Sequence, residues 1–210
     1  HITDFIICCG YKGHVIKEYF ANYLLHNSDI IIDLKRSNVK VLDNNIEPWS
    51  ITLIDTGLNT MTGGRLKRVQ KYVGDETFLL TYGDGVGDIN IDETILLHKT
   101  SKQLLTVTAY KPTGHFGSLK IDNNELVTSF CEKPMSEDAW ISAGYFVCEP
   151  DIFDFLSGKD SQIFEREPLE NIAATGRMGA YKHRGFWKPM DTLRDNIELN
   201  ELWNKGEAPW

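Results

Sequence analysis

The sequence lacks several features that would assign it quickly to a functional class. No apolar run approaches the roughly 20 residues that a membrane-spanning helix needs, and the mean hydropathy is −0.30. Basic side chains are in the minority, with 22 Lys and Arg against 30 Asp and Glu in 210 residues, for a net charge of −8. Because binding to a nucleic acid backbone needs clustered basic residues, we expect neither a membrane nor a nucleic acid as a partner.

Cysteine is scarce and badly spaced for a metal site. The four cysteines are Cys8, Cys9, Cys131 and Cys148, and they form no C-x-x-C pair. A structural zinc site and a disulfide framework are therefore not predicted. We expect buried, reduced thiols in a cytoplasmic protein.

Two common phosphate-binding motifs are also missing. The chain contains neither a G-x-x-x-x-G-K-[ST] loop nor a G-x-G-x-x-G turn after a strand. Its histidines do not occur in pairs at metal-ligand spacing, so none is assigned a catalytic role.

Apolar runs alternate with amphipathic segments through the first half of the chain. This order predicts an α/β fold with a mixed, mostly parallel central sheet flanked by helices. The second half adds short strands linked by turns, with Asn123-Asn124 the clearest, which predicts antiparallel additions. No repeat or linker interrupts the pattern, so a single domain over residues 1–210 is expected. Strands are predicted at residues 5–9, 30–34, 39–42, 51–54, 77–82, 104–110, 118–121, 126–131, 141–148 and 178–181, and helices near residues 15–24, 66–73, 91–98, 150–156, 168–174 and 192–203.

The segment Tyr82-Gly83-Asp84-Gly85 is the first candidate for chemistry. It follows a dense apolar strand, and open α/β sheets bind their ligands at the carboxyl ends of such strands. The glycines would let a ligand approach the backbone. The alternative is that Asp84 is an ordinary turn residue.

Asp191 is the second candidate, immediately before the last predicted helix. The alternative role here is an N-cap, for which Asp is favoured. Two carboxylates brought together from distant points, Asp84 and Asp191, would supply the oxygen ligands that Mg²⁺ takes beside substrate phosphates. The pair therefore predicts a magnesium and phosphate site.

Two further segments have the composition of anion or sugar contacts. Lys133 offers a positive charge to a phosphate, and Glu132 can accept hydrogen bonds from sugar hydroxyls; the alternative is a solvated strand end. Thr62-Gly63-Gly64-Arg65 precedes a predicted helix, where backbone N–H groups and the helix dipole could meet an anion or the edge of a base.

Taken together, four segments resemble the sugar-1-phosphate nucleotidyltransferases in order and spacing: Tyr82-Gly83-Asp84-Gly85, Glu132-Lys133-Pro134, Gly144-Tyr145-Phe146-Val147 and residues 186–192. The resemblance spans the whole chain. Within that family, residues 8–13, 55–57, 62–68 and 206–210 resemble the branch that uses CTP and glucose 1-phosphate.

The resemblance implies a Rossmann-like fold with a smaller antiparallel sugar-binding part. It implies Mg²⁺-dependent formation of CDP-glucose and pyrophosphate from CTP and α-D-glucose 1-phosphate, for deoxysugars of O-antigen and lipopolysaccharide. Carried onto this sequence, Asp84 and Asp191 would bind the metal, with Lys133 neutralising the sugar phosphate. The remaining implied contacts with substrate are Thr62, Gly63, Arg65, Tyr82, Gly83, Glu132, Ser142 and Gly144.

The chain departs from the family pattern at two places. The family's opening glycine-rich loop, which ends in Gly-Thr-Arg and is followed by Lys-Pro, does not occur in this sequence. We therefore expect a strand-loop-helix segment upstream of residue 1, and an inactive polypeptide if the protein begins at His1. At Ser142-Ala143-Gly144, where relatives typically have Asn-Gly-Gly, Ser142 could donate one hydrogen bond to the hexose.

Two other functions stay open at this point. One is a nucleotidyltransferase for another nucleotide or hexose 1-phosphate. The other is a catalytically inactive relative that binds sugar nucleotides. A homo-oligomer is also expected from the resemblance. Trp203 and Trp210 are possible interface anchors, although they could equally pack on their own core.

Overall fold

The computed structural model describes residues 2–44, 46–112, 118–121, 127–131 and 140–210. The chain divides into two compact units. The first contains His1–Glu76 and Pro150–Asn171, and the second contains Thr77–Glu149 and Ile172–Trp210. The expected single domain stays a prediction.

Two pairs of strands and two main helices form most of the first unit. Strands β1 and β4 run parallel with Phe5 opposite Ile51, and β2 and β3 form an antiparallel hairpin. The elements are β1 (Asp4–Cys9), α1 (Gly13–His26), β2 (Ser28–Asp33), β3 (Asn38–Asn44), β4 (Ser50–Asp55), α2 (Thr62–Val73) and a 3₁₀ helix (Pro150–Phe155).

Helix α2 contributes an apolar face to the core of this unit. Leu66 and Val69, three residues apart and so on one side of the helix, are both buried, as are Phe153 and Phe164. The ammonium group of Lys67 donates a hydrogen bond to the carbonyl oxygen of Phe153 at 2.7 Å, which attaches α2 to the 3₁₀ helix.

The second unit is built on a four-stranded mixed sheet in the order β11-β7-β10-β5. Strand β10 is antiparallel to β5 and to β7, and β11 is parallel to β7, so three of the four strands point the same way. The elements are β5 (Phe78–Thr81), β6 (Gly85–Gly87), α3 (Ile91–Ser101), β7 (Leu105–Tyr110), β8 (Ser118–Ile121), β9 (Val127–Cys131), β10 (Ile141–Cys148), β11 (Met178–His183), β12 (Trp187–Pro189) and α5 (Leu193–Lys205). Helix α4 (Glu167–Ala174) begins in the first unit and ends in the second.

The middle strands of this sheet are covered on both faces. Leu104, Leu105, Val147 and Cys148 are essentially inaccessible to solvent, as expected where helices cover a largely parallel sheet. Burial raises the pKa of the Cys148 thiol, so this sulfur stays protonated and behaves as a small apolar group.

The predicted α/β class with a mixed, mostly parallel sheet is confirmed. Three local expectations need correction. Residues 150–155 form a 3₁₀ helix rather than an α-helix. Helix α2 already begins at Thr62, so Gly63-Gly64 lies within its first turn. A short strand, β6, follows Asp84 where no strand was predicted. The Asn123-Asn124 turn lies outside the described residues.

None of the helices in the described part of the chain is both long enough and apolar enough to cross a lipid bilayer.

Candidate functional site

A two-stranded ribbon brings Asp84 and Asp191 to the same end of the second unit. Strands β6 and β12 are antiparallel, with Gly85 opposite Pro189. The ladder continues one step further, because the backbone N–H of Met190 donates to the carbonyl oxygen of Asp84 at 2.8 Å. Asp84 precedes β6 and lies opposite Met190, so the antiparallel pairing places Asp191, the residue after Met190, one step along the chain from the partner of Asp84.

Both carboxylates are available for a ligand. Asp84 and Asp191 are exposed, and within the described ranges neither carboxylate has a hydrogen bond or an ion pair. Carboxylate oxygens are the ligands that Mg²⁺ prefers, and it usually takes only one or two of them, with water and phosphate oxygens completing its shell. The pair fits such an ion, whereas residues described here include no group of three or more His, Cys, Asp or Glu side chains suited to a metal.

The last helix is capped without Asp191. Thr192 is the N-cap of α5, and its side chain accepts a hydrogen bond from the backbone N–H of Asp195 at 3.2 Å. The Asp195 carboxylate in turn accepts from the Thr192 backbone N–H at 2.9 Å, completing a capping box. The alternative interpretation of Asp191 as the N-cap is therefore wrong.

Tyr145 supports the ribbon beside Asp84. Its hydroxyl donates to the carbonyl oxygen of Gly85 at 2.6 Å. Partial burial raises the pKa of the Tyr145 phenol, and the negative charge of Asp84 raises it further. Tyr145 therefore remains a neutral hydrogen-bond donor at physiological pH.

Gly144 makes a close approach that would strain any residue with a Cβ atom. It has φ +76°, and a Cβ atom there would lie 2.6 Å from Cδ2 of Tyr82. Its carbonyl oxygen accepts from the Tyr82 N–H at 3.3 Å, and its N–H donates to the Ser142 hydroxyl oxygen at 3.2 Å. The backbone of Gly144 is thus engaged within the protein, while the exposed Ser142 hydroxyl keeps its own hydrogen for donation. Gly83 is exposed and has open space where a Cβ would lie.

The segment Thr62-Gly63-Gly64-Arg65 lies in the first unit, where most of its polar groups bind the protein itself. The N–H groups of Gly63 and Gly64 both donate to the Gln162 carbonyl oxygen, at 3.0 and 3.3 Å. The Thr62 hydroxyl donates to Glu165 at 2.6 Å.

Arg65 is held in the same way. Its guanidinium donates to Thr56 Oγ1 at 2.7 Å and to the Cys9 carbonyl oxygen at 3.2 Å. Arg65 therefore fixes the start of the β4–α2 connection. Contact of Thr62, Gly63 or Arg65 with a nucleotide stays a prediction.

Glu132 and Lys133 lie outside the described residues, and their proposed roles also stay predictions.

The sequence did not predict two features of this site, the support from Tyr145 and the pairing of β6 with β12. A three-residue strand carries no measurable hydrophobic period. The only local signal was the pair of glycines around Val86, which is typical of close backbone approach.

A family model described as nucleotidyl transferase matches residues 16–204 of this chain. Among curated proteins, the chain is 52% identical over 210 residues to the glucose-1-phosphate cytidylyltransferase of Salmonella typhi, covering 100% of this chain and 81% of that protein. It is 40% identical over 209 residues to a probable glucose-1-phosphate cytidylyltransferase of Bacillus subtilis, again covering 81% of the relative.

Solved structures show the same fold at lower sequence identity. HddC from Yersinia pseudotuberculosis superposes with a TM-score of 0.65 at 18% identity, over 96% of this chain and 79% of that one. An apo UDP-glucose pyrophosphorylase gives a TM-score of 0.65 at 18% identity, over 97% and 82% of the two chains.

Proposed function

The chain belongs to the nucleotidyl transferase family of enzymes, and we propose that it transfers a cytidylyl group from CTP to α-D-glucose 1-phosphate, forming CDP-glucose and pyrophosphate with Mg²⁺. The choice of CTP and glucose 1-phosphate is supported by the names of the relatives that are 52% and 40% identical to it.

The neighbouring positions of Asp84 and Asp191 carry the proposal. The 2.8 Å hydrogen bond from Met190 to Asp84 ties together two chain segments that are distant in sequence. At the end of that pairing stand two exposed carboxylates with no competing partner among the described residues. A protein that merely binds a sugar nucleotide would not need such a pair, so the pair favours an enzyme over an inactive relative.

The chain's own residues would act by position and charge. Asp84 and Asp191 would bind Mg²⁺, and the bound metal would withdraw charge from the phosphate under attack. Gly83, which has open space where a Cβ would lie, leaves room for a phosphate to approach the backbone. Lys133 would neutralise the sugar phosphate, so that two anions can be held in line for the transfer. The oxygen of the sugar phosphate is itself the nucleophile, so no covalent enzyme intermediate is required.

The remaining residues would select the two substrates. Glu132 and Ser142 would hold the hexose, Ser142 by donating its hydroxyl hydrogen. The Gly144 carbonyl oxygen, which accepts one hydrogen bond from Tyr82, would accept a second from a sugar hydroxyl. Tyr82 would form part of the wall beside Gly144, against which its ring packs. Thr62, Gly63 and Arg65 would lie near the cytosine and its phosphates.

A panel of nucleoside triphosphates and hexose 1-phosphates, scored by release of pyrophosphate, tests the proposal. We expect CTP with glucose 1-phosphate to give the highest kcat/KM, and omission of Mg²⁺ to abolish release. A higher kcat/KM with another nucleotide or sugar would replace the substrate assignment. Binding of CDP-glucose without turnover of any pair would favour the inactive relative.

A further inference from the structure

The far end of the β6–β12 ribbon is closed by a group of side chains that no substrate role explains. Asp88 directly follows β6, and Phe186 directly precedes β12. His183 is the last residue of β11 and is 95% buried, with a relative exposure of 5%. These three residues, which we call the Asp88 cluster, lie at the opposite end of the ribbon from Asp84 and Asp191.

The Asp88 cluster is tightly bonded. The Asp88 carboxylate accepts a hydrogen bond from the Phe186 backbone N–H at 2.6 Å, and the Asp88 N–H donates to the Phe186 carbonyl oxygen at 3.2 Å. His183 Nε2 lies 3.1 Å from Asp88 Oδ1 and 2.9 Å from the Phe186 carbonyl oxygen. Since both of these neighbours are acceptors, Nε2 carries the hydrogen and donates to them.

Two glycines leave the space that the Asp88 cluster occupies. A Cβ atom at Gly185 would lie 2.3 Å from Asp88 Oδ1, and a Cβ atom at Gly87 would lie 2.8 Å from the Phe186 carbonyl oxygen. Both distances are far inside van der Waals contact. A side chain at Gly185 would therefore displace the Asp88 carboxylate or the loop that it holds.

We propose that the Asp88 cluster fixes the register of the β6–β12 ribbon, and that Asp88 is thereby a positioning residue for the two metal-binding aspartates. This inference rests on the proposed function. A ribbon of two three-residue strands is marginal by itself, so the bonds at its ends decide how it pairs. A slip of one residue would move Asp191 by about 3.4 Å relative to Asp84, which is too far for both to bind an ion at about 2.1 Å.

His183 connects the β6–β12 ribbon to the main sheet. It pairs with Tyr110 in the parallel β11–β7 ladder, so its backbone position is determined by the sheet. The donated hydrogen bond from Nε2 then places Asp88, and through Asp88 the ribbon, with respect to the four strands.

The test uses Mn²⁺ as the probe, titrated into the full chain with CDP-glucose present and followed by the electron paramagnetic resonance signal of free Mn²⁺. We expect Asp88→Ala to raise the Mn²⁺ dissociation constant about 10- to 100-fold. Asp88→Asn keeps a side-chain oxygen that can accept from Phe186 and His183, so it should bind Mn²⁺ within about threefold of the unmodified protein. Asp75→Ala, which removes an exposed aspartate of the first unit, is the matched control and should change nothing.

A second variant and a second measurement separate positioning from general loss of structure. Gly185→Ala leaves Asp88 in the sequence but occupies its space, and it should weaken Mn²⁺ binding as Asp88→Ala does. In both variants, amide hydrogen exchange at residues 187, 188 and 190, on either side of Pro189, should accelerate at least tenfold while exchange in β7 and β10 stays slow. If the β7 and β10 amides exchange faster as well, the cluster serves general stability and the positioning role is rejected.

The outcomes distinguish failure of the proposed metal site from failure of the positioning role of the Asp88 cluster. If the unmodified protein binds no Mn²⁺, the metal site of the proposed function fails. If it binds Mn²⁺ and Asp88→Ala binds equally well, only the positioning role of the Asp88 cluster fails. Equal weakening by Asp88→Asn and Asp88→Ala would also reject a register role based on hydrogen bonding.

Discussion

Asp191 can be tested as a single residue without disturbing the helix that follows it, because Thr192 supplies the cap of α5. We predict that Asp191→Ala lowers kcat about 10²- to 10³-fold, because loss of one of the two carboxylates would weaken the hold on the metal that stabilises charge on the reacting phosphate. Unfolding free energy should change by less than about 0.5 kcal/mol, as for other exposed substitutions. Pyrophosphate release and urea unfolding measure the two effects, and Asp75→Ala again serves as the control.

The same substitution at Asp84 should have the same effect on kcat, since the proposed site needs both carboxylates. Near-normal turnover in either variant would remove the metal assignment. A large loss of stability in Asp191→Ala would instead indicate that Asp191 has a structural role.

At Gly144, the energetic cost of the left-handed backbone conformation can be separated from the cost of the contact with Tyr82. We predict that Gly144→Ala destabilises the protein by more than the roughly 1–2 kcal/mol that a left-handed conformation costs a residue with a Cβ, because the new atom also meets the Tyr82 ring. Gly176→Ala is the matched control, since Gly176 has φ +71° but nothing within 4 Å of its Cβ position. Equal losses in urea unfolding would show that the contact with Tyr82 is unimportant.

At the scale of elements, the capping box of α5 should control how firmly the segment after Asp191 is held. We predict that Thr192→Ala costs about 1 kcal/mol, the usual value for loss of an N-cap side chain. Thr100→Ala is the comparison, because within the described part of the chain the Thr100 hydroxyl bonds back only to carbonyl oxygens of α3. Chemical denaturation of both variants measures the difference, and equal effects would contradict the capping role.

The same capping box predicts the direction of a pH effect. The hydrogen bond from Thr192 holds the pKa of Asp195 below its ordinary value of 3.8. A carboxyl group with a lowered pKa in the folded state stabilises it above that ordinary value, and the contribution is lost as pH falls through the folded-state pKa. We therefore expect the stability gap between the unmodified protein and Thr192→Ala to narrow in acid. A gap that stays constant from neutral pH into strong acid would contradict this.

At the scale of the whole molecule, the property to be tested is the oligomeric state. Trp210 stacks on Phe186 at 5.4 Å between ring centroids, so it packs within its own unit, whereas Trp203 has a relative exposure of 64%. We predict a homo-oligomer by sedimentation velocity, with Trp203→Ser lowering the mass of the assembly because buried aromatics anchor interfaces. A monomer at all concentrations would contradict the oligomer. An unchanged mass for Trp203→Ser would contradict only the anchoring role.

The sequence predicted most helices and strands correctly because the spacing of apolar residues within an element depends only on residues close together in the chain. The apolar stripe of Leu66 and Val69 and the dense apolar strands 77–82 and 104–110 carry their own period. The same signals could not choose between Asp191 and Thr192 as the N-cap of α5, since both residue types are favoured there and only the backbone geometry selects one. The Gly63-Gly64 segment was expected to have free N–H groups, but the Gln162 carbonyl oxygen, distant in sequence, binds them.

The sequence by itself determined the α/β class, the carboxylates and glycines available for a site, and a resemblance that the family match confirms. Each of these depends on residue type and short-range order. Only the tertiary structure decided that Asp84 and Asp191 are neighbours, and that Asp88 and His183 close the other end of their ribbon. The strands concerned are three residues long and distant along the chain, so their pairing comes from the surrounding sheet and leaves no period in the sequence.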